Sequence, residues 1–257
     1  MLRCSQGHSF DVARQGYVAL IPGGELRHHG DTREMVAARA AFLDSGRFDP
    51  IMAHAAELAG FAADAPGAVI DLGAGTGHYL ARALDSEPER TGLALDASRA
   101  AAARAARAHP RAGSVMCDVW GDLPVRTGVA AVLLNAFAPR NGPEMRRVLH
   151  DRGVLVIVHP TRQHLRELVD ALGLLSVGED KHDRIGHRIE PWFEPIEGSG
   201  LGYQVSLEAH EVEALVAMGP SAWHVDPDAL LERIAALRPP VEVTISVSLT
   251  AYRPLSS

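Results

Sequence analysis

Val69-Ile-Asp-Leu-Gly-Ala-Gly-Thr-Gly-His78 is a short apolar run, carrying a carboxylate at Asp71, that breaks into glycines at 73, 75 and 77. The run from Ala68 to Leu72 reads as a strand buried on both faces, and a helix is expected to start near His78. Glycine permits the tight turn between them and lets a ligand approach the backbone. The first amides of the helix have no partner within it and can receive an anionic group. The spacing is Gly-x-Gly-x-Gly, not the Gly-x-Gly-x-x-Gly of a dinucleotide fingerprint. Outward from this turn, short apolar runs alternate with helical stretches. Gly92–Asp96, Ser114–Cys117, Ala130–Leu134 and Val154–Val158 read as strands, and Ser98–His109, Pro143–Leu149 and Arg162–Leu172 as helices. That alternation predicts an α/β fold with a doubly wound, mostly parallel sheet covered on both faces. Tyr203–Leu207 and Val241–Tyr252 alternate as further strands, with a helix over 226–237 between them. Upstream, residues 1–32 read as irregular. Thr32 caps a helix reaching about Ser45, and a second helix follows Pro50.

Two acids give the glycine turn a chemical meaning. Asp96 ends the second strand of the sheet, about 20 residues beyond the turn, where a carboxylate can accept both hydroxyls of a ribose. Asp118 follows the third strand, where a carboxylate can meet an adenine amino group. Singly, such acids are more often solvated strand ends or helix caps. Together with Asp71 they converge on the crevice where doubly wound sheets bind ligands. This glycine–acid pattern resembles the class I (Rossmann-like) S-adenosylmethionine-dependent methyltransferases. The resemblance implies S-adenosyl-L-methionine as cofactor, its amino-acid end on Gly73, Gly75, Thr76 and Gly77 with Asp71 orienting it. Asp96 is then expected on the ribose and Asp118 on the adenine.

The bulk composition sets limits. Twenty-five basic against 32 acidic residues give a net charge of −7, so the field of the whole molecule does not advertise nucleic-acid binding, although a local basic patch is compatible with it. No run approaches the roughly 18 apolar residues of a membrane span. The N-terminus has no apolar signal core, and Cys4 and Cys117 do not make a disulfide framework, so a cytoplasmic location is expected.

A narrower resemblance covers nearly the whole chain. Cys4-Ser-Gln-Gly-His-Ser-Phe-Asp-Val-Ala-Arg-Gln-Gly-Tyr-Val-Ala-Leu20 is similar to the end of the zinc-binding module of the RlmA-type 23S rRNA (guanine-N1)-methyltransferases. The stretch 30–50 resembles their linker, and Asn135–Asn141, His164–Leu168 and Met218–His224 also match, closest to the actinobacterial branch associated with tylosin resistance. The resemblance implies methylation of a guanine N1 in a hairpin of 23S rRNA domain II, and a homodimer. It divides the chain into a module remnant at 1–32, a helical linker at 33–66 and the methyltransferase domain at 67–257. It adds Phe48 and His164 to the cofactor contacts. Of the four zinc ligands of the family module only Cys4 and His8 stand here, with His28 and His29 thin substitutes, so no stable zinc, or a half-site at most, is expected.

The acceptor side is less determined. Asn135 can hydrogen-bond a base edge and Phe137 can stack on the base; the alternative is that Asn135 caps a turn and Phe137 packs. His164 is a cofactor contact in preference to a general base. Trp223 and His224 pack or touch substrate. Arg33, Arg39 and Arg140 contact phosphate or are solvated surface charges. A small-molecule methyltransferase that kept the core and lost the RNA module, and a non-catalytic cofactor-binding regulatory protein, are the competing functional readings.

Overall fold

The computed structural model describes residues 1–21, 30–174, 189–219 and 226–255. Its strands are β1 (Leu2–Arg3), β2 (Ser9–Phe10), β3 (Val18–Ala19), β4 (Ala68–Leu72), β5 (Gly92–Asp96), β6 (Ala112–Met116), β7 (Ala130–Ala136), β8 (Leu149–Pro160), β9 (Phe193–Leu207) and β10 (Val241–Pro254). Its α-helices are α1 (Arg33–Asp44), α2 (Asp49–Ala59), α3 (His78–Ser86), α4 (Arg99–Ala105), α5 (Gly142–Val148), α6 (Arg166–Leu172), α7 (Ala209–Ala217) and α8 (Pro227–Ala236). Among the described residues no helix is long and apolar enough to cross a membrane.

Eight strands form one sheet in the order β3-β6-β5-β4-β7-β8-β10-β9. From β3 to β8 neighbouring strands are parallel; β10 and β9 run antiparallel at the far edge. The chain steps outward from β4 to β5 and β6, then crosses to β7 and β8. The topological switch therefore lies between β4 and β7, where such sheets bind ligands beyond the carboxyl ends of their strands. Burial explains the composition of the central strands: Val69, Ile70 and Leu72 of β4 and every residue of Ala130–Leu134 in β7 are buried, because each face is covered by helices. One apolar cluster joins α1, α2 and α3 to one face of the sheet, and a second joins α5 to the other.

Caps set the helix starts. Thr32 accepts from the Met35 amide at 3.2 Å, Ser98 from Ala101 at 3.2 Å and Asp226 from Ala229 at 3.0 Å. Thr32 thus begins α1 as the sequence predicts.

Two sequence boundaries look different in three dimensions. Residues 1–32 are not wholly irregular: β3 lies parallel to β6 at the edge of the main sheet, with Val18 buried and Tyr17 packed with Ala102 and Met116. The segment 33–66 packs into the main core through Phe42, Phe48, Ile51 and Leu58. Strand β9 starts ten residues before the predicted alternation, because its Gly- and Pro-containing first half is held by pairing with β10. Helix α7 stands at Ala209–Ala217, a stretch to which the sequence pattern assigns no element.

Candidate functional site

A cavity of about 670 Å³ opens over the ends of β4, β5 and β7. That volume lies within the roughly 300–1,000 Å³ of small-molecule sites. Of the residues singled out in the sequence, Phe48, Asp71, Gly73, Gly75, Thr76, Asp96, Phe137 and His164 line it; Gly77, Asp118 and Asn135 do not.

The glycine turn is held closed by its own amides. Gly73 and Ala74 both donate to the Leu95 carbonyl, at 2.8 and 3.1 Å, and Gly77 donates to Ala74 at 2.9 Å. The Gly75 amide donates to Asp96 Oδ2 at 2.8 Å. Asp96 Oδ1 accepts from the Ser98 amide at 2.7 Å, which aims the carboxyl group at the turn. Burial outweighs these two bonds and raises its pKa. Gly73, at φ +73°, faces the loop after β7: a β-carbon there would come within 2.5 Å of the Ala138 methyl. Gly77 serves packing, since a β-carbon on it would meet the Ala108 methyl at 2.8 Å. Asp118 is tied to the Trp120 amide at 2.9 Å, while Val119 and Trp120 form the wall beside it.

Asp71 is 1% exposed, and its Oδ2 has no hydrogen-bond partner. Burial, with the neighbouring Asp96 charge adding to it and a Leu80 amide opposing, pushes its pKa up to about 8. The carboxyl group of the ligand-free protein is therefore largely neutral at pH 7. A group raised in the fold from an ordinary 3.8 costs stability progressively as pH climbs between those two values, because unfolding lets it ionise. Asp71→Asn is accordingly expected to melt higher than the parent by at least about 3 °C at pH 8, with the advantage shrinking at pH 5. Thermal melts at the two pH values check it; an advantage that is equal or larger at pH 5 contradicts the burial argument.

Four aromatic rings form the opposite wall. Phe137 stacks on Phe48 at 6.2 Å and 26°, and lies 6.1 Å from His164 and 6.4 Å from Tyr79. Phe48 is 3% exposed and braced edge-on by Phe42, whereas Phe137 is 42% exposed. Phe137 has φ +55°, a left-handed conformation uncommon for a bulky side chain. Burial pushes His164 down to about 4. Its Nδ1 accepts from the Ser246 amide at 3.2 Å, which leaves Nε2 carrying the proton as a donor. A histidine locked in that tautomer does not serve as a general base.

Asn135 is fully buried. Its Nδ2 donates to the Pro139 carbonyl at 2.8 Å and reaches Leu72 at 3.4 Å, pinning the loop after β7 to the end of β4; its Oδ1 is without a partner. Sequence reading missed Asp31, Tyr79 and Trp120, all of which line the cavity. Tyr79 had a signal, standing two residues past the last glycine of the turn. Arg39 is not a surface charge: it lines the cavity and pairs with Asp31. Trp223, His224, His28 and His29 lie outside the described residues.

At the N-terminus Cys4 Sγ stands 3.3 Å from His8 Nδ1, on the turn between the paired strands β1 and β2. No group of three or more metal-ligating side chains occurs among the described residues. These two donors fall short of the four a structural zinc requires.

Three comparisons bear on this geometry. The model of the RlmA N-terminal zinc ribbon matches residues 1–27. The chain is 51% identical to the 23S rRNA (guanine(748)-N(1))-methyltransferase of Streptomyces fradiae, over 99% of this chain and 91% of that protein. It is equally identical, over 99% and 90%, to a Micromonospora griseorubida protein whose name marks its assignment as a 23S rRNA (guanine-N(1)-)-methyltransferase as provisional. In structure it resembles a provisionally named type II methyltransferase from Anaeromyxobacter dehalogenans, with a TM-score of 0.51 and 19% identity over 89% of this chain and 98% of that one, a likeness of fold.

Proposed function

The chain belongs to the family of 23S rRNA (guanine-N1)-methyltransferases, and from that premise we propose that it moves a methyl group from S-adenosylmethionine to N1 of a guanine in a hairpin of 23S rRNA domain II. The observation that carries the reading is the cavity beyond β4, with Asp96 fixed at its floor and an exposed aromatic ring, Phe137, at its rim. The residues fit the cofactor: two buried polar atoms, Asp71 Oδ2 and the Tyr79 hydroxyl, reach the wall without partners inside the protein.

Asp96 accepts the ribose hydroxyls, and Val119 and Trp120 flank the adenine, with Asp118 at its edge. Gly73, Gly75, Thr76 and Gly77 shape the turn beneath the amino-acid end, whose ammonium group meets Asp71. Phe48 and His164 close the site around the sulfonium. That sulfonium makes its methyl group electrophilic, so the protein contributes orientation and exclusion of water. Phe137 stacks on the target guanine and presents N1 in line with the methyl carbon. Asn135 acts through Phe137 by holding its loop. The N1 electron pair forms the new bond as the carbon–sulfur pair withdraws onto sulfur, and the N1 proton passes to water. A homodimer in the cytoplasm, acting in macrolide resistance, is the setting this reading expects.

The test incubates the protein with labelled S-adenosylmethionine and the domain II hairpin. Incorporation should fall on one guanine and block reverse transcription there. Absence of incorporation into this hairpin and into whole 23S rRNA, with the cofactor bound, overturns the reading.

A further inference from the structure

Resting on the cofactor reading above, we propose that Arg39, on helix α1 between β3 and β4 in the chain, binds the carboxylate of the cofactor's amino-acid end. The glycine turn was expected to do this with its amides. In the structure four of the five amides from Gly73 to Gly77 are already donating, to Leu95, Leu95, Asp96 and Ala74. A carboxylate arriving at that turn needs another donor, and an anion taken out of water needs a cation close by.

The charge inventory of the cavity narrows the choice. Its described lining carries three acidic side chains, Asp31, Asp71 and Asp96, of which Asp71 is held largely neutral in the ligand-free protein, and two guanidinium groups, Arg39 and Arg140. The carboxylates suit a ligand bearing a sulfonium and an ammonium. Arg140 stands on the loop after β7 with Phe137, toward the acceptor. Arg39 crosses directly over the glycine turn: its Nη1 lies 3.3 Å, and its Cδ 3.5 Å, from the point a β-carbon on Gly75 would occupy. Any side chain at 75 would displace it, which gives that glycine a reason beyond its φ of +52°.

Arg39 is also held in place and not spent. Nη1 pairs with Asp31, and Nη2 donates to the Met218 carbonyl at 2.7 Å. A guanidinium has five N–H donors, so these bonds fix the plane of the fork and leave others for a carboxylate. Asp31 is itself anchored, because Ser98 Oγ donates to its carbonyl at 2.6 Å. Tyr79, its hydroxyl buried and unpartnered, lines the same cavity and supplies a second donor.

The experiment is calorimetric titration of two ligands that share the nucleoside, S-adenosylhomocysteine and 5′-methylthioadenosine, which lacks the amino-acid end. Arg39→Gln should weaken S-adenosylhomocysteine by about 10- to 100-fold and leave 5′-methylthioadenosine within about threefold. Arg39→Lys should recover part of the loss, and Tyr79→Phe, which removes one oxygen only, should show the same selectivity on a smaller scale. Equal weakening of both ligands by Arg39→Gln, or no weakening of either, overturns the assignment. If the unaltered protein binds neither ligand, the cofactor reading itself fails, a different result from the loss of selectivity.

Discussion

Asp96→Ala lowers the affinity for S-adenosylhomocysteine by at least about 100-fold, because two hydrogen bonds to a charged acceptor are removed at once, each worth about 1.5–3 kcal/mol. The size follows from the setting. Asp96 ends β5 under the cavity, and its oxygens are steered by the Gly75 and Ser98 amides. Alanine abolishes the ribose contact and strips those two amides of their acceptor. The melting temperature should therefore fall as well, yet the sheet should remain, since Leu95 and the parallel pairing of β5 with β4 and β6 are untouched. Circular dichroism below the lowered melting temperature, followed by titration in the same conditions, separates the two effects. An affinity unchanged in folded Asp96→Ala would show that the sugar lies elsewhere. Unlike loss of Arg39, loss of Asp96 should weaken 5′-methylthioadenosine as much as S-adenosylhomocysteine, because both carry the ribose.

The centre of the fold is legible in the sequence because its rules are local. Val69, Ile70 and Leu72 form an apolar run around Asp71, glycines mark the turn, and an acid recurs as Asp96 at the end of the next strand; each feature signals its own geometry. The contributions from outside that pattern are not local. Arg39 stands with Arg33 on an alanine-rich helix in an arginine-rich chain, and only the fold of α1 over the glycine turn turns it into a cavity residue. Strand β9 carries Pro195, Gly198, Gly200 and Gly202, which argue against a strand, and pairing with β10 overrides that preference. The amides of the turn look available in sequence. Whether they are spent depends on Leu95 and Asp96, which fold back on them from a different strand.

Phe137→Ala lowers kcat/KM for the RNA hairpin by roughly 10- to 100-fold, the loss expected for one base–aromatic stack, while S-adenosylhomocysteine affinity stays within about threefold. The separation is the informative part. Phe48, Phe137 and His164 share one aromatic wall, but only Phe137 is exposed: Phe48 is 3% exposed, and His164 is tied to Ser246. A ring kept exposed at φ +55° costs conformational energy that packing on Phe48 alone does not require. Asn135 makes that backbone possible by clamping Pro139 and Leu72 from below. Phe137→Tyr should therefore keep most of the activity. Phe137→Gly should match the alanine variant in activity and melt no lower, because glycine accepts the positive φ without strain. If Phe137→Ala weakens the cofactor as much as it slows methylation, the ring is part of the cofactor's wall, and the guanine must be gripped by another surface of the cavity.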